Sequence, residues 1–569
     1  MNLKRTMFFT AVTAFFVLFS VSGYAVSYVQ APPLGQVIST SAGDMKAGQQ
    51  QVQMPLITWG GDIATILANG NSAITNGNSI FGQKGLKFKL LREDDFKKQI
   101  EAYLKGETPF LRGTMGMMNM AADVISRDPR TRPVIIYLMT WSSGGDCLVV
   151  KPGISTAKDL KGKTVALQAY GPHVDYLAKI LKDAGLSMSD VNIRWTKDLT
   201  GTDNTPVEAL YSQDVDAAFV IIPDGLMLTS NGAVGTGAEG SVKGAKIMLS
   251  TKTANRIIAD VYAVRSDYFQ AHRQEVESFV HGLMLASQQL KELFKNKENR
   301  TAEYKKMLGA AAEILLDSSQ AAGDAESLYG DCEYAGFGGN VQFFGDEKWP
   351  RNLNRLTEEI QSAFISIALL GAKKPLEHAK WDYNKFRAGL TGVDDVTSPK
   401  FSEENVAKVV AKKQAMGTLE QGELFSFEIH FQPNQKDFSE DIYTDDFAKV
   451  IDLASTYGGA VITVEGHSDP QKYSNLEKKG AAPLILTQTR QAAKNLSINR
   501  ALAVRNSVIK FAGAKGIPLD ESQFTVIGHG IEAPEFPNPE TKEQWLSNMR
   551  VVFRIIQIEA EESAFKPLD

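Results

Sequence analysis

The chain has 569 residues, 43% of them hydrophobic and 22% charged, with a formal net charge of −5 at pH 7. That length exceeds what one core supports, and the composition belongs to neither a disordered nor a fibrous class. The slight acidity leaves no basic stripe, so nucleic acid is not an expected partner. Seven scattered His, with no CxxC or HExxH spacing, argue against a metal enzyme and call for no cofactor.

Lys4 and Arg5 precede the apolar stretch Met7 to Val21, and Gly23-Tyr24-Ala25 supplies small residues after it. Residues 1–25 are therefore expected to be an export signal, which sends the protein to the periplasm or cell envelope. The alternative keeps them as a membrane anchor, since Met7 to Val29 carries no charge and is long enough for ~30 Å of hydrocarbon. Residues 26–51, with Pro32-Pro33 and many Ser, Gly and Gln, read as a spacer.

From residue 52 strand and helix patterns alternate. Leu56 to Trp59 is a short strand stopped by Gly60-Gly61, Leu86 to Leu91 alternates, Asp94 to Leu104 is amphipathic, and Val134 to Met139 is wholly apolar. A second unit, about residues 147–258, holds strand patterns at Thr164 to Gln168, Asn192 to Trp195, Ala217 to Ile222 and Lys246 to Leu249. Val261 to Val264 then reads as a strand rejoining the first unit, before helical stretches at Gln274 to Phe294, Thr301 to Leu315 and Arg355 to Leu370. The fold expected for residues 52–390 is thus α/β, with two lobes and a cleft between them. Cys147 and Cys332 are too few for a disulfide scaffold; they stand either as one bridge or as two buried thiols.

Several of these segments share a family look. Asp159-Leu160-Lys161-Gly162-Lys163-Thr164-Val165, Leu104-Lys105-Gly106-Glu107 and Asp214-Val215-Asp216-Ala217-Ala218 occur in the order seen in solute-binding proteins of the nitrate/taurine/sulfonate (NitT/TauT) type, which this region resembles. The resemblance implies a type II periplasmic-binding-protein fold and non-enzymatic capture of a small-molecule solute, with an inner-membrane transporter or a sensor as partner. Relatives of that fold include a pyrimidine synthase of thiamine assembly, but the Cys-rich motif that marks such enzymes is missing here.

Open α/β lobes bind ligands at the carboxyl ends of their strands and at helix N-termini. Those places give Trp59, Gly60, Thr114, Ser143, Tyr170, Gly171, His173 and Asp224 as candidate solute-binding residues. For each, a turn glycine, a core aromatic or a helix N-terminal residue is the plainer alternative.

Residues 391–421, poorer in apolar side chains, read as a linker to a domain over residues 422–560. There Phe425, Phe427, Ile429 and Phe431 alternate as a half-buried strand, and Phe447, Val450, Ile451 and Ala454 share one helix face. Val461 to Glu465 runs into Gly466-His467-Ser468-Asp469, followed by Asn495 to Ala501 and by Asn548-Met549-Arg550-Val551. Ser497 reads as a helix N-cap, which puts Arg500 in the first turn against the positive end of the helix dipole. An unanswered cation there costs roughly 0.3–1 kcal/mol, so an anionic partner is expected.

The pattern strand-GHSD, NLSxxRA, NxRV-strand resembles the OmpA C-terminal-like peptidoglycan-binding family, with an α+β fold. The resemblance implies that Asp469 holds the ammonium and Arg500 the carboxylate of a diaminopimelate stem peptide, with Asn434, Asn548 and Arg550 alongside. Two departures stand out. Asp469 and Arg500 lie 31 positions apart because Pro470 to Lys494 is an insertion, which makes Arg490 a competing ligand, and Met549 stands where the family prefers a second arginine. The whole reads as an envelope solute-binding protein tethered to peptidoglycan. The alternative is a structural tether or protein-interaction module whose two-lobed part binds no solute.

Overall fold

The computed structural model describes residues 26–46, 50–238, 240–393, 401–416, 423–431 and 443–556. The export signal or anchor at residues 1–25, Asn434, and parts of the 391–421 segment lie outside the described residues.

In lobe 1, β1 (Val52–Leu56) pairs in parallel with β2 (Phe88–Arg92). β1 ends three residues before Trp59, because the Thr58 amide turns away to donate to Asp94 Oδ1 at 2.6 Å. β3 (Phe110–Thr114) and β4 (Pro133–Ser142) are buried along their whole length, and β4 leads through Ser143-Gly144-Gly145 into lobe 2. Asp95 caps the Phe96–Leu104 helix by accepting from the Lys97 amide, and Phe96, Ile100 and Leu104 face the core.

Lobe 2 is a five-stranded sheet in the order β7-β6-β8-β5-β9, from β5 (Asp146–Val150), β6 (Thr164–Gln168), β7 (Asn192–Thr196), β8 (Ala217–Ile221) and β9 (Lys246–Ser250). The chain then returns. β10 (Ala259–Arg265) pairs antiparallel with both β3 and β4, and β11 (Cys332–Tyr334) and β12 (Glu377–His378) flank β4. The region is two α/β lobes joined by two crossings, at residues 142–146 and 250–259. Ser142 Oγ donates to Asp146 Oδ2 at 2.6 Å, and the Gly144 amide donates to Thr251 Oγ1 at 3.1 Å, which ties the crossings together.

Residues 26–46 differ from the free spacer expected of their composition. Their path begins on lobe 2, where the Val29 amide donates to the Trp195 carbonyl. The Tyr170 hydroxyl then meets the Pro32 carbonyl at 2.6 Å, and the arm ends on lobe 1, where Arg265 donates to the Gly43 carbonyl at 2.9 Å. Leu34 and Ile38 are buried in the core. These two apolar anchors in a polar stretch act together with the hydrogen bonds to both lobes.

The C-terminal domain is a four-stranded mixed sheet in the order β13-β16-β14-β15, from β13 (Glu423–His430), β14 (Val461–His467), β15 (Phe524–Gly530) and β16 (Arg550–Ile556). Helices Thr444–Thr456 and Pro483–Lys515 cover one face. Helix Glu403–Ala415, inside the segment read as linker, covers the other: Val406, Val409 and Val410 pack against Val461, Ile527 and Ile556. The domain is seated on lobe 2. Buried Lys179 donates to Asp183 and to Asp452, at 2.7 and 2.8 Å, and the Tyr457 hydroxyl donates to Asp183 at 2.9 Å. Gly459 lies so close to the Lys252 carbonyl that a Cβ there would sit 1.8 Å from it.

Cys147 and Cys332 are not bonded to each other. The Cys147 thiol packs against Gly225 in the core of lobe 2, whereas that of Cys332 faces Gly60 and donates to the Leu328 carbonyl at 3.3 Å. The bridge alternative is therefore corrected: the two side chains are built into different neighbourhoods.

Candidate functional site

The carboxyl end of β14 gathers the residues that the GHSD, LSxxRA and NxRV segments single out. Asp469 leaves the strand half-buried, with Oδ1 accepting from the Gln471 amide at 2.8 Å and Oδ2 from Asn548 Nδ2 at 3.2 Å. Asn548 is itself fixed by the Phe536 backbone, accepting from its amide at 2.9 Å and donating to its carbonyl at 2.8 Å. Arg500 reaches the same strand end from beneath, donating to the His467 carbonyl at 3.4 Å with its guanidinium 5.3 Å from the Phe431 ring centre. Asp469 is thus half-buried and Arg500 buried at the same strand end. Gly466 makes this possible, because a Cβ there would lie 1.9 Å from the Ser497 carbonyl and hold the helix off.

The Ser497 cap expected from sequence is not formed. One helix of 33 residues runs from Pro483 to Lys515, so Ser497 and Arg500 lie in its middle and the dipole argument does not apply to Arg500. The insertion forms the short helix Gln471–Lys478 and, after a break that includes Gly480, the first part of the long helix, which its Ala, Gln and Lys content favours. Ser497 Oγ instead donates to the Lys494 carbonyl at 2.7 Å and accepts from the Gly530 amide at 3.0 Å. Arg500 is instead buried, 1% exposed, and desolvation lowers its pKa.

Arg490 lies away on the exposed extension, donating to the Tyr473 hydroxyl at 2.9 Å. Arg550 donates to Glu428 Oε1 at 3.1 Å beneath the sheet end. Burial, with Arg550 and His529 nearby, holds the pKa of His467 down at about 3. Phe431, the aromatic face under Arg500, was visible in sequence only as one member of an alternating strand.

Between the lobes the candidate residues divide. Trp59 donates from Nε1 to Thr140 Oγ1 at 3.0 Å, and Thr140 in turn donates to Asp260 at 3.2 Å. Asp260 and Asp62 sandwich the fully buried Arg112 at 2.9 and 3.1 Å. Even so, burial outweighs Arg112 and raises Asp62 to about 6. Gly60 is taken up by packing, since a Cβ on it would sit 1.9 Å from the Leu328 carbonyl. The Gly60→Ala variant is expected to lower the melting temperature by several degrees in calorimetry, because overpacking against backbone costs about 1–3 kcal/mol.

The Ser143 amide donates to the Asp331 carbonyl at 2.8 Å. Asp331 is raised to about 6, by burial first and Asp146 second. Segment Leu328–Tyr334 therefore lies over the strand ends of lobe 1, and the Tyr334 hydroxyl donates to the Gly60 carbonyl at 2.6 Å.

Thr114 caps the Met115–Ile125 helix, its Oγ1 accepting from the Met117 amide at 3.2 Å. Across from it, Tyr170 takes a left-handed backbone (φ 62°), Gly171 packs on Gln168, and His173 is fully buried, its Nε2 2.8 Å from Asp146 Oδ1. Asp224 lines an open recess of about 370 Å³ together with Thr200, Thr202, Asp203 and Glu208. The loops after β6 and β8 thus supply two separate neighbourhoods.

Sequence reading missed Asp175, one turn beyond the Tyr170 loop. Its carboxylate is buried and would lie 2.5 Å from a Cβ on Gly116, at the start of the lobe 1 helix, and neither oxygen meets a side-chain donor. Burial raises its pKa to about 8. Among the described residues, no helix is long and apolar enough to cross a membrane.

Residues 80–292 match the family model described as NMT1/THI5 like. No curated protein sequence matches the chain. Among solved structures, the chain is similar to the periplasmic aliphatic sulphonate binding protein SsuA from Escherichia coli, with 13% identity over 58% of this chain and 94% of that one, at a TM-score of 0.38. It is similar also to the desulfurization enzyme DSZB, with 16% identity over 59% of this chain and 99% of that one, at a TM-score of 0.37. A further match is the peptidoglycan-associated lipoprotein from Burkholderia pseudomallei, with 16% identity over 22% of this chain and 88% of that one, at a TM-score of 0.17.

Proposed function

We propose that this chain is a non-enzymatic solute-binding protein of the cell envelope whose C-terminal domain docks it on peptidoglycan. One observation carries the docking half: Asp469, fixed by Asn548, and Arg500, leaning on the His467 carbonyl, converge at the end of one strand although they are 31 positions apart in sequence. A half-buried acid and a buried guanidinium at one strand end suit a ligand end that carries an ammonium and a carboxylate together, as diaminopimelate does. Co-sedimentation of the full chain with purified sacculi tests this; no retention above that of an unrelated acidic protein would overturn it.

Solute capture is supported by the two-lobed fold with its paired crossings and by the NMT1/THI5-like match over residues 80–292. Closure of the lobes would be a hinge motion about residues 142–146 and 250–259, with the solute shifting an open–closed equilibrium. Thermal shift against oxyanions, sulfonates, amidines and pyrimidines is expected to find a stabilising compound, since a ligand at 100 times its Kd adds about 2.7 kcal/mol. A panel without any shift would favour the second reading, a tether that binds no solute. That reading draws on segment Leu328–Tyr334, which already fills the space over Gly60 and Ser143.

A further inference from the structure

A separate cluster lies behind the wall site, between two parallel strands. β14 and β15 bring Glu465, His467 and His529 together, so that one donor atom from each lies within 4.8 Å of the others. Glu465 is 2% exposed and His467 4%, and the two imidazoles stack with centroids 4.7 Å apart.

The hydrogen bonds fix the protons. His467 Nδ1 lies 3.0 Å from the Ala533 carbonyl, which can only accept, so Nδ1 carries the proton and Nε2 presents a lone pair. That buried nitrogen has no hydrogen-bond partner among the described residues. His529 Nε2 donates to Glu465 Oε2 at 2.9 Å, while Glu465 Oε1 is occupied by the Thr463 hydroxyl at 2.6 Å and Arg554 Nε at 3.0 Å. A metal-binding imidazole is commonly oriented in this way, by a backbone carbonyl on its other nitrogen.

We propose that Glu465, His467 and His529 form a binding site for a divalent transition metal ion of the zinc class. The ion would take the place of the proton now shared by Glu465 Oε2 and His529 Nε2, with that proton moving to His529 Nδ1, and would accept the lone pair of His467 Nε2. Water would complete the four ligands. Two imidazoles and one carboxylate select zinc, or cobalt as its probe, over calcium or magnesium, which take oxygen ligands. Two arginines stand close. Arg550 is answered by Glu428, but Arg554 is held on Glu465 Oε1, the ligand carboxylate itself, and this competing positive charge makes the site weaker than a closed structural zinc centre.

The test uses the full chain with any purification tag removed. Cobalt(II) titration is expected to give one ion per chain with the visible bands of a tetrahedral site, and zinc is expected to displace it. His529→Gln and Glu465→Gln should each weaken binding by about tenfold or more. Because either variant may fail to fold, anomalous scattering from zinc-soaked crystals of the unaltered protein provides the second measurement, with a peak expected between the three side chains. Absence of stoichiometric cobalt binding, unchanged affinity in both folded variants, or an anomalous peak elsewhere would overturn the proposal.

Discussion

Asp469→Ala is expected to cut retention on purified sacculi by roughly ten- to a hundredfold, the equivalent of losing a charge-assisted hydrogen bond of about 1.5–3 kcal/mol. Asn548 Nδ2 already points at Asp469 Oδ2, so the carboxylate is held in place before any ligand arrives and little ordering remains to oppose binding. Arg500→Ala should lose as much. Arg500→Lys should recover only part of the loss, because an ammonium cannot present two parallel N–H donors to a carboxylate.

Arg500 is buried, so its variants need a melting curve beside the pull-down. A normal melt with lost retention assigns the effect to the site. Arg490→Ala serves as the internal comparison. Arg490 is exposed on the helical extension and tied to Tyr473, so its removal should leave retention unchanged. Equal loss in Arg490→Ala and Arg500→Ala would move the ligand contact onto the insertion.

Asp175→Asn is expected to stabilise the protein, and increasingly so as pH rises. The folded-state pKa of Asp175 is about 8, whereas an unfolded Asp titrates near its ordinary 3.8. Between those values the folded state binds the proton and the unfolded state does not. Stability that is fully present below about pH 4 is therefore lost as pH rises toward 8, at up to ~1.4 kcal/mol per pH unit. The asparagine has no proton to lose, so denaturant midpoints of the variant and the native chain should coincide near pH 4 and diverge by pH 8. Parallel curves at every pH would show that Asp175 is solvated. Because Asp175 on lobe 2 faces Gly116 on lobe 1, its ionisation also strains the contact between lobes, and faster hydrogen exchange at residues 115–117 and 174–177 should accompany the alkaline loss.

The sequence carried most of the sheet framework. Period-two alternation at Phe425 to Phe431 and the apolar run at Val134 to Met139 each correspond to a strand, within a few residues at the ends. Such patterns report burial on one face or both, and that is a local property. Ser497 misled for the opposite reason. Ser is a good N-cap, but here its hydroxyl is satisfied by the Lys494 carbonyl and the Gly530 amide, so the helix runs through it, and only the tertiary partner on β15 reveals this.

Trp59 and Gly60 sat at a strand end, as a pocket residue would. What covers them, Leu328 to Tyr334, comes from a distant part of the chain with no signal pointing back. Asp175 carries no motif that singles it out, and its place in the first turn of the Val174–Asp183 helix comes from the structure. Its burial against Gly116 depends on how the lobes meet. His467 and His529 belong to no metal-binding spacing, and parallel pairing of β14 with β15 is what brings them together.

The most direct test of wall docking is calorimetric titration of the full chain with two soluble stem peptides, one carrying meso-diaminopimelate and one carrying L-lysine at the same position. Both offer an ammonium to Asp469, but only diaminopimelate offers Arg500 a carboxylate beside it. Saturable one-to-one binding of the diaminopimelate peptide, at least about tenfold tighter than the lysine peptide, is the predicted result. Equal affinity for the two, or heat from neither, would contradict the account.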